Sequence, residues 1–248
     1  MPFDLATLIL APLIVLLAYI VLAVGGFGSA LVSIPLLALL LPVKVVLPVV
    51  LIVDFIATFL TGLRLRRDIA LDEVKPLIPF TLIGLIAGVT LLVKLPAQWV
   101  LTALGIFILA YSLYSLIHHD RKHIHSRWWA LPTGLSGGLF GGMFGMGGPI
   151  YVMHLSGRIL DAARLRATLS TVFTINTAAR LALFFASGLL LQREVWLGAL
   201  CLLPFMALGL FAGHHVDVKL TRIQVARFIS LLLLATGASI VFKAWYVW

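Results

Sequence analysis

The sequence predicts an all-α polytopic membrane protein of two inverted repeats, each a glycine-broken helical hairpin plus three transmembrane helices. Three observations predict it. Hydrophobic residues fill 62% of the 248 positions and charged residues only 11%, with a mean hydropathy of +1.15, more apolar surface than a soluble domain needs. Ten apolar runs follow one another, six of them near the length that crosses a bilayer, which takes roughly 20 helical residues for a ~30 Å core. A glycine-dense break, Gly25-Gly26-Phe27-Gly28-Ser29, also returns 119 residues later as Gly145-Met146-Gly147-Gly148, preceded by Gly141-Gly142.

The elements follow in order. Leu5–Val24 is the first run, and Met1-Pro2-Phe3-Asp4 before it lacks the basic start of a signal peptide, so it reads as retained. Ala30–Leu41 lies beyond the first break. Read as one helix, Leu5–Leu41 would extend about 55 Å, too long for the hydrocarbon core. A hairpin, re-entrant or fully spanning, is therefore expected. Val43–Leu63, Pro76–Val93 and Trp99–Ile117 complete a first half at residues 1–117. The polar residues 118–127 form a linker, and the second half is 128–248. There Trp128–Phe140 and Ile150–Ser156 flank the second break, and Ala162–Ser187, Val195–Gly213 and Ile223–Val247 are the spans. The duplication continues past the glycines. Leu41 falls opposite Leu160, Gly84-Leu-Ile-Ala-Gly88 opposite Gly209-Leu-Phe-Ala-Gly213, and Leu95-Pro96 opposite Leu220-Thr221.

Charge sets the expected orientation. With hairpins, Arg64, Arg66, Arg67, Lys75, Arg121, Lys122, Arg127, Arg158, Arg164, Arg166, Lys219 and Arg222 all fall on the cytoplasmic side. Only Lys44, Lys94, Arg193 and Lys243 remain outside, a twelve-to-four split that satisfies the positive-inside rule. The halves then have opposite orientation, and the linker is cytoplasmic. The same distribution explains the net charge of +9 without a nucleic-acid partner. Cys201 stands alone and excludes an intrachain disulfide framework. Trp128-Trp129, Trp245-Tyr246 and Trp248 read as interfacial anchors.

Residues able to carry chemistry are few. A broken helix frees N–H groups at membrane depth, where a lined cavity or bound solute must satisfy them, and helix N-termini favour anions. Gly26, Gly28 and Ser29 in the first break, and Gly145, Gly147 and Gly148 in the second, are therefore candidate binding residues; close helix packing is the alternative. Gly134–Gly138 and Gly137–Gly142 read as packing glycines. Asp54 is an acid in mid-span, where a charge costs at least ~2.5 kcal/mol, and suits proton or cation coupling or a structural hydrogen bond. Ala162–Ser187 carries Ser170, Thr171, Thr174, Asn176, Thr177 and Arg180 within three turns. Asn176 and Arg180 share a face at i, i+4. Arg180 is a permanently charged fork suited to carboxylate, sulfite or sulfonate oxygens, unless it snorkels to the surface. Thr174 and Asn176 add polar contacts beside it. His154, in the second hairpin, is a second candidate for coupling. His118, His119, His123 and His125 crowd the linker and read as solvated loop histidines, so no metal site is expected.

These residues resemble the sulfite exporter TauE/SafE family of membrane transporters over nearly the whole chain. The resemblance rests on Gly26-Phe-Gly28-Ser29 with Pro35 following, Gly145-Met-Gly147-Gly148, the basic turn Arg64-Leu-Arg66-Arg67-Asp68-Ile69, and the small-residue helix Gly84–Gly88. Ser29 stands where the family often has another glycine, and His154 where a proline is expected opposite Pro35. The resemblance implies a secondary transporter in the cytoplasmic or inner membrane. Its substrate would be a small anion such as sulfite or a sulfonate; the mid-span Asp54 points to a proton or cation as driving partner, and the inverted halves to alternating access. No cofactor is expected, and a homodimer is an assembly to be tested. Two other readings stand beside it. One is a drug/metabolite-type carrier. The other is a rhomboid-like serine protease using Ser136 in Gly134-Leu135-Ser136-Gly137, with His154 or His214 as base. No phosphate-binding G-x-x-x-x-G-K-[ST] loop occurs, so ATP is not expected to drive the process directly.

Overall fold

The computed structural model describes residues 5–25, 28–64, 69–117, 126–215 and 222–246, and every regular element in them is helical. Gly26, residues 65–68 with Arg66 and Arg67, residues 118–125 of the linker and Lys219 lie outside these residues. The helices are α1 Leu5–Gly25, α2 Ser29–Leu40, α3 Val43–Arg64, α4 Leu71–Lys94, α5 Ala97–Ile117, α6 Ala130–Phe144, α7 Gly148–Ser156, α8 Ala162–Ala186, α9 Arg193–His215 and α10 Arg222–Tyr246. Six contain segments long and apolar enough to cross a membrane: α1, α3, α4, α5, α8 and α9. Leu8, Leu13, Leu17, Ile83, Ile86, Ile106 and Leu113 are exposed, the surface expected of helices solvated by lipid rather than water. The chain is a multi-pass membrane protein.

Two boundaries differ from the sequence reading. α4 begins at Leu71, not Pro76, and takes in Asp72 and Glu73. Their charges broke the apolar run, but carboxylates in a first turn complement the helix dipole. α6 continues through Gly141 and Gly142 to Phe144, and the glycines there let neighbouring groups approach the helix closely. A Cβ on Gly142 would lie 2.6 Å from the Leu85 carbonyl oxygen.

The chain divides into two compact units that draw on both halves of the sequence. The first comprises Met1–Val50, Leu95–Arg121 and Arg193–Trp248; the second comprises Leu51–Lys94 and Lys122–Gln192. In the first unit α1 packs on α9, α5 on α10, and α2 against α1 and α10. The Lys243 ammonium donates to the Ala38 and Leu39 carbonyls at 3.1 and 2.9 Å, a cation at the C-terminal end of α2 where the dipole favours it. In the second unit α4 packs on α6, and α7 lies against α6 and α8. Ala70, Val74, Leu77, Tyr151, Leu155 and Val172 belong to its buried core. Arg158 and Glu73 form a two-pronged ion pair at its edge, and the Ala70 N–H donates to Thr168 Oγ1 at 3.0 Å.

The duplicated G-L-x-A-G segment does the same work in each unit. In α4, a Cβ on Gly84 would fall 2.2 Å from Leu135 O, and one on Gly88 2.3 Å from Leu139 O. In α9, the equivalent distances are 2.6 Å from Gly209 to Leu16 O and 2.9 Å from Gly213 to Ile20 O. Leu16 and Leu135, and Ile20 and Leu139, are each separated by the same 119 residues as the glycine breaks. In the absence of a hydrophobic drive between helices in lipid, small residues that let backbones approach supply the packing.

Candidate functional site

The second break is built by two constraints on glycine. α6 ends where Gly145 enters the left-handed region at φ 71°, a conformation open to glycine. The N–H groups of Gly145 and Met146 turn back to Gly141 O at 2.8 Å and Phe140 O at 3.3 Å, satisfying carbonyls that the helix end would otherwise orphan. Gly147 then caps α7, and its constraint is contact: a Cβ there would sit 2.4 Å from Gly137 O. Pro149 follows in the first turn of α7, where its missing N–H is harmless.

This tight return carries Tyr151 into the interior of the second unit. The side chain is fully buried, and its ring fills the place of a side chain at Gly137, whose Cβ would be 2.7 Å from two ring carbons. Asn176 Nδ2 on α8 donates to the Tyr151 hydroxyl at 3.1 Å. That hydroxyl donates in turn to Thr81 Oγ1 on α4 at 3.3 Å. The Asn176 amide also faces the bare backbone of Gly141, with Nδ2 and Oδ1 at 3.2 and 3.3 Å from the position of a Cβ.

Arg180 lies one turn beyond Asn176 and is 3% exposed. It does not snorkel. Its Nε and Nη2 are buried and have no hydrogen-bond acceptor among the described residues, and its Cζ lies 4.7 Å over the Phe184 ring. Asp54, half-buried on α3, belongs to the same compact unit as Arg180. The two charged residues that the sequence offered for separate roles thus fall within one unit. A buried guanidinium short of acceptors carries a heavy desolvation penalty. An anion's oxygens are the groups that would satisfy it.

The remaining candidates are placed as follows. The Thr174 hydroxyl donates to Ser170 O of its own helix at 2.8 Å, leaving its lone pairs for any further contact. Gly148 lies in the second break with Phe173 3.6 Å from its Cβ position. His154 is buried toward the other end of α7. In the first unit Gly28 caps α2 at φ 108°, and Ser29 is buried, with its carbonyl accepting from Ser33 Oγ at 2.8 Å. Gly26 falls outside the described residues. Tyr151 and Thr81 were missed by sequence reasoning.

The sulfite exporter TauE/SafE family matches residues 11–240, a stretch that holds both breaks and all of α2 to α9. The chain belongs to this family. As a TauE/SafE member it is a membrane transporter and not an enzyme. It is also similar to a probable inner membrane transporter protein, TsaS, of Comamonas testosteroni, at 25% identity over 198 residues, covering 79% of this chain and 82% of that one. No solved structure gives a significant match. Membership decides against the drug/metabolite carrier and the protease. The Ser136 hydroxyl moreover donates to Pro132 O of its own helix at 2.6 Å.

Proposed function

We propose that this TauE/SafE protein is a secondary transporter for small organosulfur or related organic anions, such as sulfite and sulfonates, with Arg180 as the anion-binding residue. The observation that carries this reading is the buried Arg180 guanidinium, with two nitrogens lacking an acceptor among the described residues, one turn from Asn176, whose amide faces Gly141 of the helix that leads into the second break. Gly28 and Ser29, with Gly26, are the corresponding residues of the first half. By likeness to the inner membrane relative, the chain is assigned to a bacterial-type inner membrane.

The halves 1–117 and 128–248, joined by the 118–127 linker, run in opposite directions and give alternating access. The basic-residue split and the equivalent contacts of Gly84-Gly88 and Gly209-Gly213 support this arrangement. It places positions 121 and 164 in the cytoplasm. In a Cys201→Ala background, single cysteines there are expected to resist an impermeant thiol reagent in intact cells and to react after permeabilisation. Ready labelling from outside at either position would overturn the inverted arrangement.

Asp54 couples the anion to a proton, with His154 as a further titratable group. While ionised, Asp54 competes with the anion for the field of Arg180; protonated, it does not. Proton and anion therefore favour each other's binding, and by linkage the effect is reciprocal. Ethanesulfonate, ionised throughout the working range, is a clean probe. Its affinity for the wild-type protein is expected to rise as pH falls, whereas Asp54→Asn should bind tightly at every pH and lose accumulation driven by a pH gradient. An unchanged pH response in Asp54→Asn would remove Asp54 from coupling.

A further inference from the structure

The hydrogen-bond chain through Tyr151 orients a group that the anion must meet, and this refines the proposed substrate class. Tyr151 has one hydroxyl hydrogen, which it gives to Thr81 Oγ1. It can therefore only accept from the amide of Asn176, which must present Nδ2 to it. Thr81, Tyr151 and Asn176 are 3%, 0% and 8% exposed, so bulk water does not compete for these bonds. With Nδ2 tied to Tyr151, the Asn176 carbonyl oxygen Oδ1 is the acceptor left over; among the described residues the amide makes no other hydrogen bond. It lies one turn from Arg180 on the same face of α8. The positions 119 residues before Tyr151 and Asn176 are Val32 and Ala57, both buried and apolar, so this device belongs to one half alone.

We infer that the Thr81–Tyr151–Asn176 chain fixes Asn176 Oδ1 as an acceptor beside Arg180, so that the site prefers an organic anion carrying its own hydrogen-bond donor near the acid group. Hydroxy- and amino-substituted short-chain sulfonates are that class. The inference rests on the reading of Arg180 as the anion-binding residue. A ligand oxygen without hydrogen would meet Oδ1 acceptor to acceptor, whereas a hydroxyl or ammonium satisfies it. A site built to bond such a group rejects the analogue that lacks it, since the acceptor is then shut off from water by the ligand and left unpaired.

The test uses a matched pair that differs by one hydroxyl, 2-hydroxyethanesulfonate and ethanesulfonate. Their affinities are measured by titration calorimetry on the full chain in lipid nanodiscs. The wild-type protein is expected to bind the hydroxylated ligand roughly tenfold or more tightly. Tyr151→Phe frees the amide to rotate, so the ratio should fall towards one while ethanesulfonate binding persists. Thr81→Val attacks the other end of the chain and should shift the ratio the same way, which keeps the test alive should Tyr151→Phe fail to fold. Equal wild-type affinities for both ligands, with loss of both in Arg180→Gln, would overturn the donor preference and leave the Arg180 reading standing. A wild-type preference that survives in both variants would overturn the orienting role of the chain. Binding of neither sulfonate would overturn this inference, and if sulfite also failed to bind, the Arg180 reading would fall with it.

Discussion

Arg180→Gln is expected to weaken anion binding by about 1.5–3 kcal/mol, the scale of a hydrogen bond to a charged group, or roughly 10- to 150-fold in Kd. Arg180→Lys should recover part of this, because an ammonium cannot reproduce the planar two-pronged contact. Stability distinguishes this role from that of a structural anchor. The guanidinium is buried and two of its nitrogens lack acceptors among the described residues, so a neutral amide relieves a desolvation penalty. The thermal midpoint of Arg180→Gln in detergent should therefore stay level or rise while binding falls. A lowered midpoint with unchanged affinity would make Arg180 a fold-stabilising residue held by Asp54 and Phe184.

The largest effect on stability should come from Gly138→Val. A Cβ at Gly138 would lie 2.2 Å from Thr81 O and 2.9 Å from Leu85 N, and backbone cannot yield as a side-chain tip can. α4 and α6 would have to separate, and Thr81, one end of the Tyr151 chain, would move with α4. Overpacking of this kind costs about 3 kcal/mol or more, which lowers the midpoint by roughly 6–12 °C for a chain of this size. Gly148→Ala is the contrast. Its Cβ would meet Phe173 at 3.6 Å, an ordinary contact, and its midpoint should hold. Equal loss in both variants would show that backbone freedom, rather than helix approach, sets the glycine requirement.

The helices were legible because membrane spans advertise themselves: apolar runs of fixed length bounded by charge, proline or glycine. Their ends were legible except where charge and packing acted together, as at Asp72 and Glu73 in α4 and at Gly141 and Gly142 in α6. The proposed site was legible in its charged and polar groups. Arg180, Asn176 and Asp54 stand out because a bilayer tolerates such groups only for a reason. That Asp54 and Arg180 fall in one compact unit was not legible, since the two residues sit on different helices and no local spacing links them. Tyr151 was missed for a related reason. It sits in a nine-residue helix, where an aromatic side chain is unexceptional, and its partners lie 25 and 70 residues away. The one local clue was the glycine on either side of its place in the core, Gly137 and Gly147, which together leave room for a ring.

Uptake by proteoliposomes tests the central claim most directly. Purified full-length protein is reconstituted and offered labelled sulfite and two-carbon sulfonates under an imposed pH gradient. The account predicts saturable uptake that exceeds protein-free vesicles, collapses with the gradient, and is abolished or strongly reduced in Arg180→Gln. Gradient-independent uptake would remove the coupling, and uptake by Arg180→Gln equal to that of the wild type would contradict the assignment of Arg180 as the residue that binds the anion.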